Sequence, residues 1–214
     1  MAQKGDLRPF ALIINMSVQI LEKLFDSPVK VRVLKLFLRN SNDIYRTVDV
    51  AQKTQNRLRA IKKEIEGLEE IEFLKKRRIK GKKKNGKERG VYYYVNPQFD
   101  FYNELRTLVL KSSPASIEKI YKNIKRLGRI KLALLSGVFI NFDGSRLDLF
   151  IVGNGIKKTR LENFLKKLEA EVGKTIDYSY LTTEDFNYRL SMFDRFILDI
   201  LEKPHRKLIN KLRI

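Results

Sequence analysis

IEFLKKRRIKGKKKNGKERGVYYYVN, residues 71–96, decides how the first half of the chain is read. Its two ends, IEFLKKRRI and VYYYVN, carry the aromatic and β-branched residues that suit strands. The glycine-punctuated KGKKKNGKERG between them suits a loop. The stretch therefore predicts a hairpin. Ten of the fifteen residues from 75 to 89 are Lys or Arg, against one Glu. A solvated, unstructured tip is the plainer account of such a run, but strands flank it closely and the whole chain leans the same way in charge.

Upstream, DSPVKVRVLKLFLRN places Val31, Val33, Leu34, Leu36, Phe37 and Leu38 on one broad apolar face. Asp26 or Ser27 can cap this helix, with Pro28 in its first turn, where a missing N–H does no harm. MSVQILEKLF before it makes another amphipathic turn or two. RTVDVAQKT then predicts a short helix with Val48 and Ala51 inward. TQNRLRAIKKEIEGLEEIEFL predicts a longer one, with Thr54 as N-cap and Leu58, Ile61, Ile65 and Leu68 at helical spacing. Gln55, Asn56, Arg59, Lys62 and Lys63 are left on its wet face. Two helices in tandem, the second polar and basic at its start, make a helix-turn-helix, and a hairpin after one is a wing.

Residues 17–97 thus resemble the winged-helix regulators of bacteria and archaea, through SPVKVRVLKLFL, a short second helix and a long third one. The resemblance implies binding to double-stranded DNA. Lys75, Lys76, Arg77, Arg78, Lys80, Lys82, Lys83, Lys84, Lys87 and Arg89 would contact phosphates, giving salt-sensitive affinity with little sequence information. Gln55, Asn56 and Arg59 would reach base edges, with Lys62 and Lys63 beside them, since Arg can pair with guanine and Asn or Gln with adenine.

The totals agree. The 214 residues have room for two compact domains, hydrophobic residues make up 43%, and the formal net charge is +20. Such an excess costs stability through self-repulsion, so a polyanionic partner is the leading explanation. There are no cysteines, which excludes disulfides, thiolate catalysis and cysteine zinc sites. The single histidine, His205, cannot build a metal cluster. PFALIINM, the longest apolar run near the start, is too short to span a membrane and lacks a small-residue cleavage site. A cytoplasmic location and no membrane partner are expected.

The second half begins with FDFYNELRTLVLKS, a linking helix with Phe101, Leu105, Leu108 and Leu110 on one side. SPASIEKIYKNIKRLG predicts a helix capped by Ser113 and ended by Gly128. RIKLALLSG and SRLDLFIVG read as strands, the second holding Asp148 with Arg146 two positions earlier on the same face. KKTRLENFLKKLEAEVG is an amphipathic helix burying Leu161, Phe164, Leu165 and Leu168, with Gly173 at its C′ position. KTIDYSYLT is a third strand. TTEDFNYRLSMFDRFILDILEKP is helical, with a capping signal near Thr183 and with Phe193, Phe196, Ile197, Ile200 and Leu201 at helical spacing. The order α-β-β-α-β-α makes a small α/β layer.

LLSG, SRLDLFIVG and KTIDYSYLTTEDF in that order resemble the minimal nucleotidyltransferase domain of the polymerase-beta superfamily. The resemblance implies a Gly-Ser phosphate site after the first strand and converging carboxylates for two magnesium ions. The chain departs from that pattern. Ser136-Gly137 reverses the Gly-Ser order, Arg146 stands at the first aspartate's position, Asp148 matches the second, and Asp177 the third acid. A guanidinium cannot ligate a cation and repels one. The site reads as degenerate, with no metal and no cofactor expected, and Asp148 can simply pair with Arg146.

The expected architecture is α+β: a winged helix with an N-terminal helical extension over residues 1–97, then a linker helix and a nucleotidyltransferase-like domain over 98–214. The expected function is a DNA-binding transcription regulator that is not an enzyme. Its second domain serves as a dimerisation scaffold or holds an anionic small-molecule effector, with Arg146 on a phosphate. Winged helices commonly act as dimers on paired half-sites, so a homodimer is expected. Two other classes stay open: an active nucleotidyltransferase, and an RNA- or ribosome-binding protein using the same basic hairpin.

Overall fold

The structure is a computed structural model that describes residues 19–79, 89–111 and 115–214. It is a mixed α+β chain in two compact units. One comprises Ser17–Ser112 together with Glu169–Lys174. The other contains Ser113–Leu168 and Thr175–Ile214.

In the N-terminal unit, α1 (Pro28–Arg39) starts where Ser27 Oγ accepts the Lys30 N–H at 3.0 Å. Ser27, not Asp26, is therefore the cap. All six apolar residues of the expected face are buried, and Lys35 is buried with them. In α2 (Thr47–Thr54) the inward residues are Val50 and Thr54, while Val48 is 49% exposed and Ala51 half-buried. Val48 and Val50 lie roughly 200° apart around the helix, so burying one exposes the other. Thr54 does not cap the next helix either. It ends α2, its Oγ1 donating to the Val50 carbonyl at 2.7 Å, and Arg57 holds the N-cap position of α3 (Leu58–Glu70) with no side-chain cap bond. Ile61, Ile65 and Leu68 are buried on α3, and Leu58 is exposed at its unsupported first turn.

The expected hairpin forms. Strands β1 (Leu74–Ile79) and β2 (Gly90–Val95) pair antiparallel from Leu74 opposite Val95 to Ile79 opposite Gly90. Tyr45, between α1 and α2, adds an antiparallel bridge to Tyr93, with N–H···O bonds of 2.9 and 2.7 Å. Helix α4 (Tyr102–Lys111) turns Val109 fully inward, with Tyr102, Leu105 and Leu110 packed beside it. Phe101 and Leu108, expected on the buried side, are 66% and 45% exposed. This helix, read as a linker from the sequence, groups with the N-terminal unit. Edge-to-face rings of Phe37 and Tyr45, centroids 5.6 Å apart, close this core.

The C-terminal unit begins with α5 (Ile117–Lys125). Ser116 caps it, accepting from the Lys119 N–H; Ser113, the expected cap, lies outside the described residues. Next come β3 (Arg129–Leu135), a 3-10 turn (Gly137–Phe139), β4 (Leu149–Asn154), α6 (Lys158–Val172), whose residues from Glu169 on group with the N-terminal unit, and β5 (Tyr178–Leu181). Leu161, Phe164, Leu165 and Leu168 are buried, and Gly173 follows α6 at φ +81. The long C-terminal helix of the sequence reading is two helices, α7 (Thr183–Ser191) and α8 (Arg195–Glu202). Thr182 caps the first. Asp194 caps the second, because its Oδ1 accepts from the Phe196 and Ile197 N–H groups. Phe193 sits in the break at φ +52 and is 77% exposed rather than packed.

A final strand absent from the expected order, β6 (Arg206–Asn210), completes a four-stranded sheet in the order β5-β4-β3-β6. The β4–β5 pair is parallel and the others antiparallel. One face, Leu132, Leu134, Phe150 and Val152, packs on Phe186 of α7 and Ile197 and Ile200 of α8. The alternate residues Ala133, Leu135, Leu149 and Ile151 are also fully buried, so the strands read as near-continuous apolar runs.

Candidate nucleic-acid interface and buried carboxylate site

The turn between α2 and α3 is set by Gln55, the C-cap of α2, in the left-handed region at φ 52. Gln55 is exposed. Asn56 is half-buried, and its Nδ2 donates to the Thr54 carbonyl at 2.9 Å. Both therefore lie in the turn that leads into α3, not on the helix itself. Arg59, Lys62 and Lys63 are exposed on α3, opposite Ile61, Ile65 and Leu68.

On the hairpin, Lys75, Lys76, Arg77 and Arg78 are all exposed, while Tyr92 on the facing strand is buried and Tyr93 and Tyr94 are half-buried. The cross-strand neighbours are aromatic: Lys75 lies opposite Tyr94, Lys76 opposite Tyr93 and Arg77 opposite Tyr92. Aliphatic stems can lie along those rings while the charged heads stay in water. Lys76 also ion-pairs with Glu69 of α3, which holds its pKa above the ordinary lysine value. Arg89 is exposed at the start of β2. Lys80, Lys82, Lys83, Lys84 and Lys87 lie outside the described residues.

In the C-terminal unit, backbone bonds draw the second constellation together. The Ser136 N–H donates to the Asp148 carbonyl at 2.9 Å, and the Asp148 N–H to the Asp177 carbonyl at 2.7 Å. Ser136 Oγ donates to the Leu147 carbonyl, and the Gly137 N–H to Ser145 Oγ at 3.0 Å. The acids themselves do not converge. Asp148 is 5% exposed, and its two oxygens accept from the Val138 and Asp177 N–H groups at 2.8 and 3.0 Å. The Asp177 side chain is exposed.

Arg146 and Asp148 precede β4 instead of sharing a face of it. The two do not pair. Arg146 is exposed, with its guanidinium carbon 5.0 Å from the centroid of the Phe196 ring, a cation–π contact. Residues i and i+2 share a face only inside a regular strand, and both positions lie before β4 begins, so the expected pair does not form. Among the described residues no group of three or more His, Asp or Glu is placed to hold a metal ion.

Gly137 fits this arrangement for a steric reason. It lies at φ +53, and a Cβ there would sit 2.1 Å from Asp148 Oδ1. The loop can wrap the carboxylate only because glycine has no side chain. The roles of Asp148 and Gly137 as a backbone clasp have no signal in the sequence beyond an acid next to a buried strand.

Among the described residues no helix is long and apolar enough to cross a membrane. No family model, no curated protein and no solved structure matches the chain.

Proposed function

We infer that the chain is a DNA-binding transcription regulator whose N-terminal unit is a winged helix. The observation that carries this is the run of exposed cations that begins on α3 and continues along the hairpin. Arg59, Lys62 and Lys63 follow the tight turn at Gln55, and Lys75 to Arg78 follow within one short connection. The order helix, bridging residue, helix, turn, helix, hairpin supports the reading, with Tyr45 adding a single bridge to the edge of the two-stranded sheet. In this reading α3 enters the major groove and the hairpin grips phosphates.

The C-terminal unit has a nucleotidyltransferase-like layer that does not transfer nucleotides. Asp148 gives both oxygens to backbone amides and Asp177 points to solvent, so the donors that two metal ions require are not gathered. The unit serves as a dimerisation scaffold or an effector domain.

Duplex binding measured between 50 and 200 mM salt tests this. Arg77→Ala/Arg78→Ala should weaken binding to all sequences alike and make the salt slope shallower by about 1.8. Arg59→Ala should instead relax discrimination at one base pair, by about 1–3 kcal/mol. An unchanged slope removes the hairpin from phosphate contact. A clear preference for duplex RNA at matched salt moves the function to RNA binding. Transfer of label from a nucleotide in magnesium, lost in Asp148→Asn, makes the chain an enzyme.

A further inference from the structure

The C-terminal unit carries a second cluster of positive charge that neither the hairpin nor the carboxylate site uses. Lys125, Arg129, Lys131 and Lys211, with Gly128 and Ile130, line one cavity of about 250 Å³. Lys125 ends α5, Arg129 and Lys131 belong to the start of β3, and Lys211 follows β6. All four are exposed, and none forms an ion pair among the described residues. We propose that this cavity is a phosphate-binding site.

Its construction argues for a built site over scattered surface lysines. Asn210 pairs with Leu132, and the Lys211 N–H donates to the Lys131 carbonyl at 2.7 Å. Lys131 and Lys211 are thereby cross-strand neighbours. Like charges directly opposite one another destabilise a sheet unless an anion sits between them. A β-bulge falls at the same place: between Ile130 and Leu132 the register against β4 shifts by one, leaving Lys131 as the extra residue. Bulges re-aim side chains, and they concentrate beside functional sites.

Two further features hold the cavity in shape. Lys125 Nζ rests 5.0 Å from the centroid of the Tyr121 ring, which limits its wandering. Gly128 brings the α5–β3 connection close to the end of β4, since a Cβ there would lie 2.8 Å from the Asn154 carbonyl oxygen. Size narrows the ligand. At about 250 Å³ the cavity lies just below the about 300–1,000 Å³ of pockets for drug-sized molecules, room enough for a phosphate group with part of what carries it. Cationic side chains around one anion make the short, strong hydrogen bonds that phosphate oxygens accept.

A phosphate group can come from a nucleic-acid backbone or from a free phosphorylated molecule, and one pair of measurements separates them. The full chain is titrated with inorganic phosphate while the amide signals of residues 128–131 and 211 are followed, and its duplex affinity is measured against salt. Both are repeated with Lys131→Gln/Lys211→Gln, exposed substitutions that keep much of each side chain, and with Lys125→Gln/Arg129→Gln. If the source is nucleic acid, each double variant makes the duplex salt slope shallower by about 1.8. If the source is a free ligand, the duplex slope stays put, and the phosphate Kd rises by about tenfold per cation removed. The proposal is overturned if phosphate leaves those signals unmoved and neither pair changes the duplex slope. It is equally overturned if phosphate binds the variants as tightly as the parent. The phosphate arm is independent of the winged-helix reading, which stands or falls on Arg77 and Arg78.

Discussion

Replacing Asp148 separates a structural carboxylate from a catalytic one. Its side chain is 5% exposed and accepts two backbone N–H groups, Val138 at 2.8 Å and Asp177 at 3.0 Å. Hydrogen bonds to a charged group contribute about 1.5–3 kcal/mol each. Asp148→Ala removes both and leaves two donors near the sheet with little water to replace the acceptor, so about 3–6 kcal/mol should be lost. Asp148→Asn keeps one acceptor but turns an NH2 toward the other donor, and about half that loss is expected. With a urea m value of about 2 kcal/mol/M, a loss of 4 kcal/mol lowers the midpoint by about 2 M. Urea titration of the full chain followed by far-UV circular dichroism reads this directly. A carboxylate kept for chemistry at the expense of the fold behaves the other way, because removing its charge stabilises. Asp148→Ala within about 0.5 kcal/mol of the parent, or a more stable Asp148→Asn, would refute the clasp.

Gly137→Ala should be at least as damaging as Asp148→Asn, since the new Cβ would lie 2.1 Å from Asp148 Oδ1 at φ +53; a normal urea midpoint would contradict the packing described. Burial is the main cause that lowers the Lys35 pKa to about 8, with Arg39 next and Glu171 and Glu22 opposing. The folded state therefore holds a proton less readily than the unfolded chain, and stability should rise from pH 8 toward 10 by up to about 3 kcal/mol. Above pH 10 that gain should turn over, because burial and the hydrogen bond to Asp43 raise the Tyr45 pKa and the folded state then resists a deprotonation that the unfolded chain undergoes. Lys35→Met should abolish the rise in urea midpoint between pH 7 and 9.5, and a rise that persists assigns it to another group. Phe193→Gly should stabilise α7 and α8 slightly, by about 0.5–1 kcal/mol, because an exposed phenylalanine at φ +52 contributes strain and little packing; a thermal scan showing a loss would mean that Phe193 packs in solution.

What was legible in the sequence was local and periodic. The apolar faces of α1 and α6 repeat at the helical period, and the strands of both units stand out as short β-branched, aromatic or apolar runs bounded by turn residues. One dimension is enough to carry such a repeat. Helix frames were less secure. Val48 and Val50 are equally apolar, and only the start of α2 at Thr47 decides which turns inward. Val109 was hidden the same way, because Leu108 and Leu110 beside it are just as apolar.

Other features depended on partners distant along the chain. Nothing in KPHRKLIN marks a strand until β3 offers a free edge, and then β6 forms. Asp148 looked like the partner of Arg146, but its oxygens answer to backbone amides 10 and 29 residues away, and Arg146 lies over Phe196. The basic cavity needs α5, β3 and the residue after β6 together, so its four cations appear in the sequence only as part of a general surplus. The sequence by itself determined most of the elements and the sign of the charge, because backbone propensity and hydrophobic period are properties of neighbours. Tertiary structure alone decided which charges meet and which acid is locked away, because hydrogen bonds and Coulomb forces act through space, not along the chain.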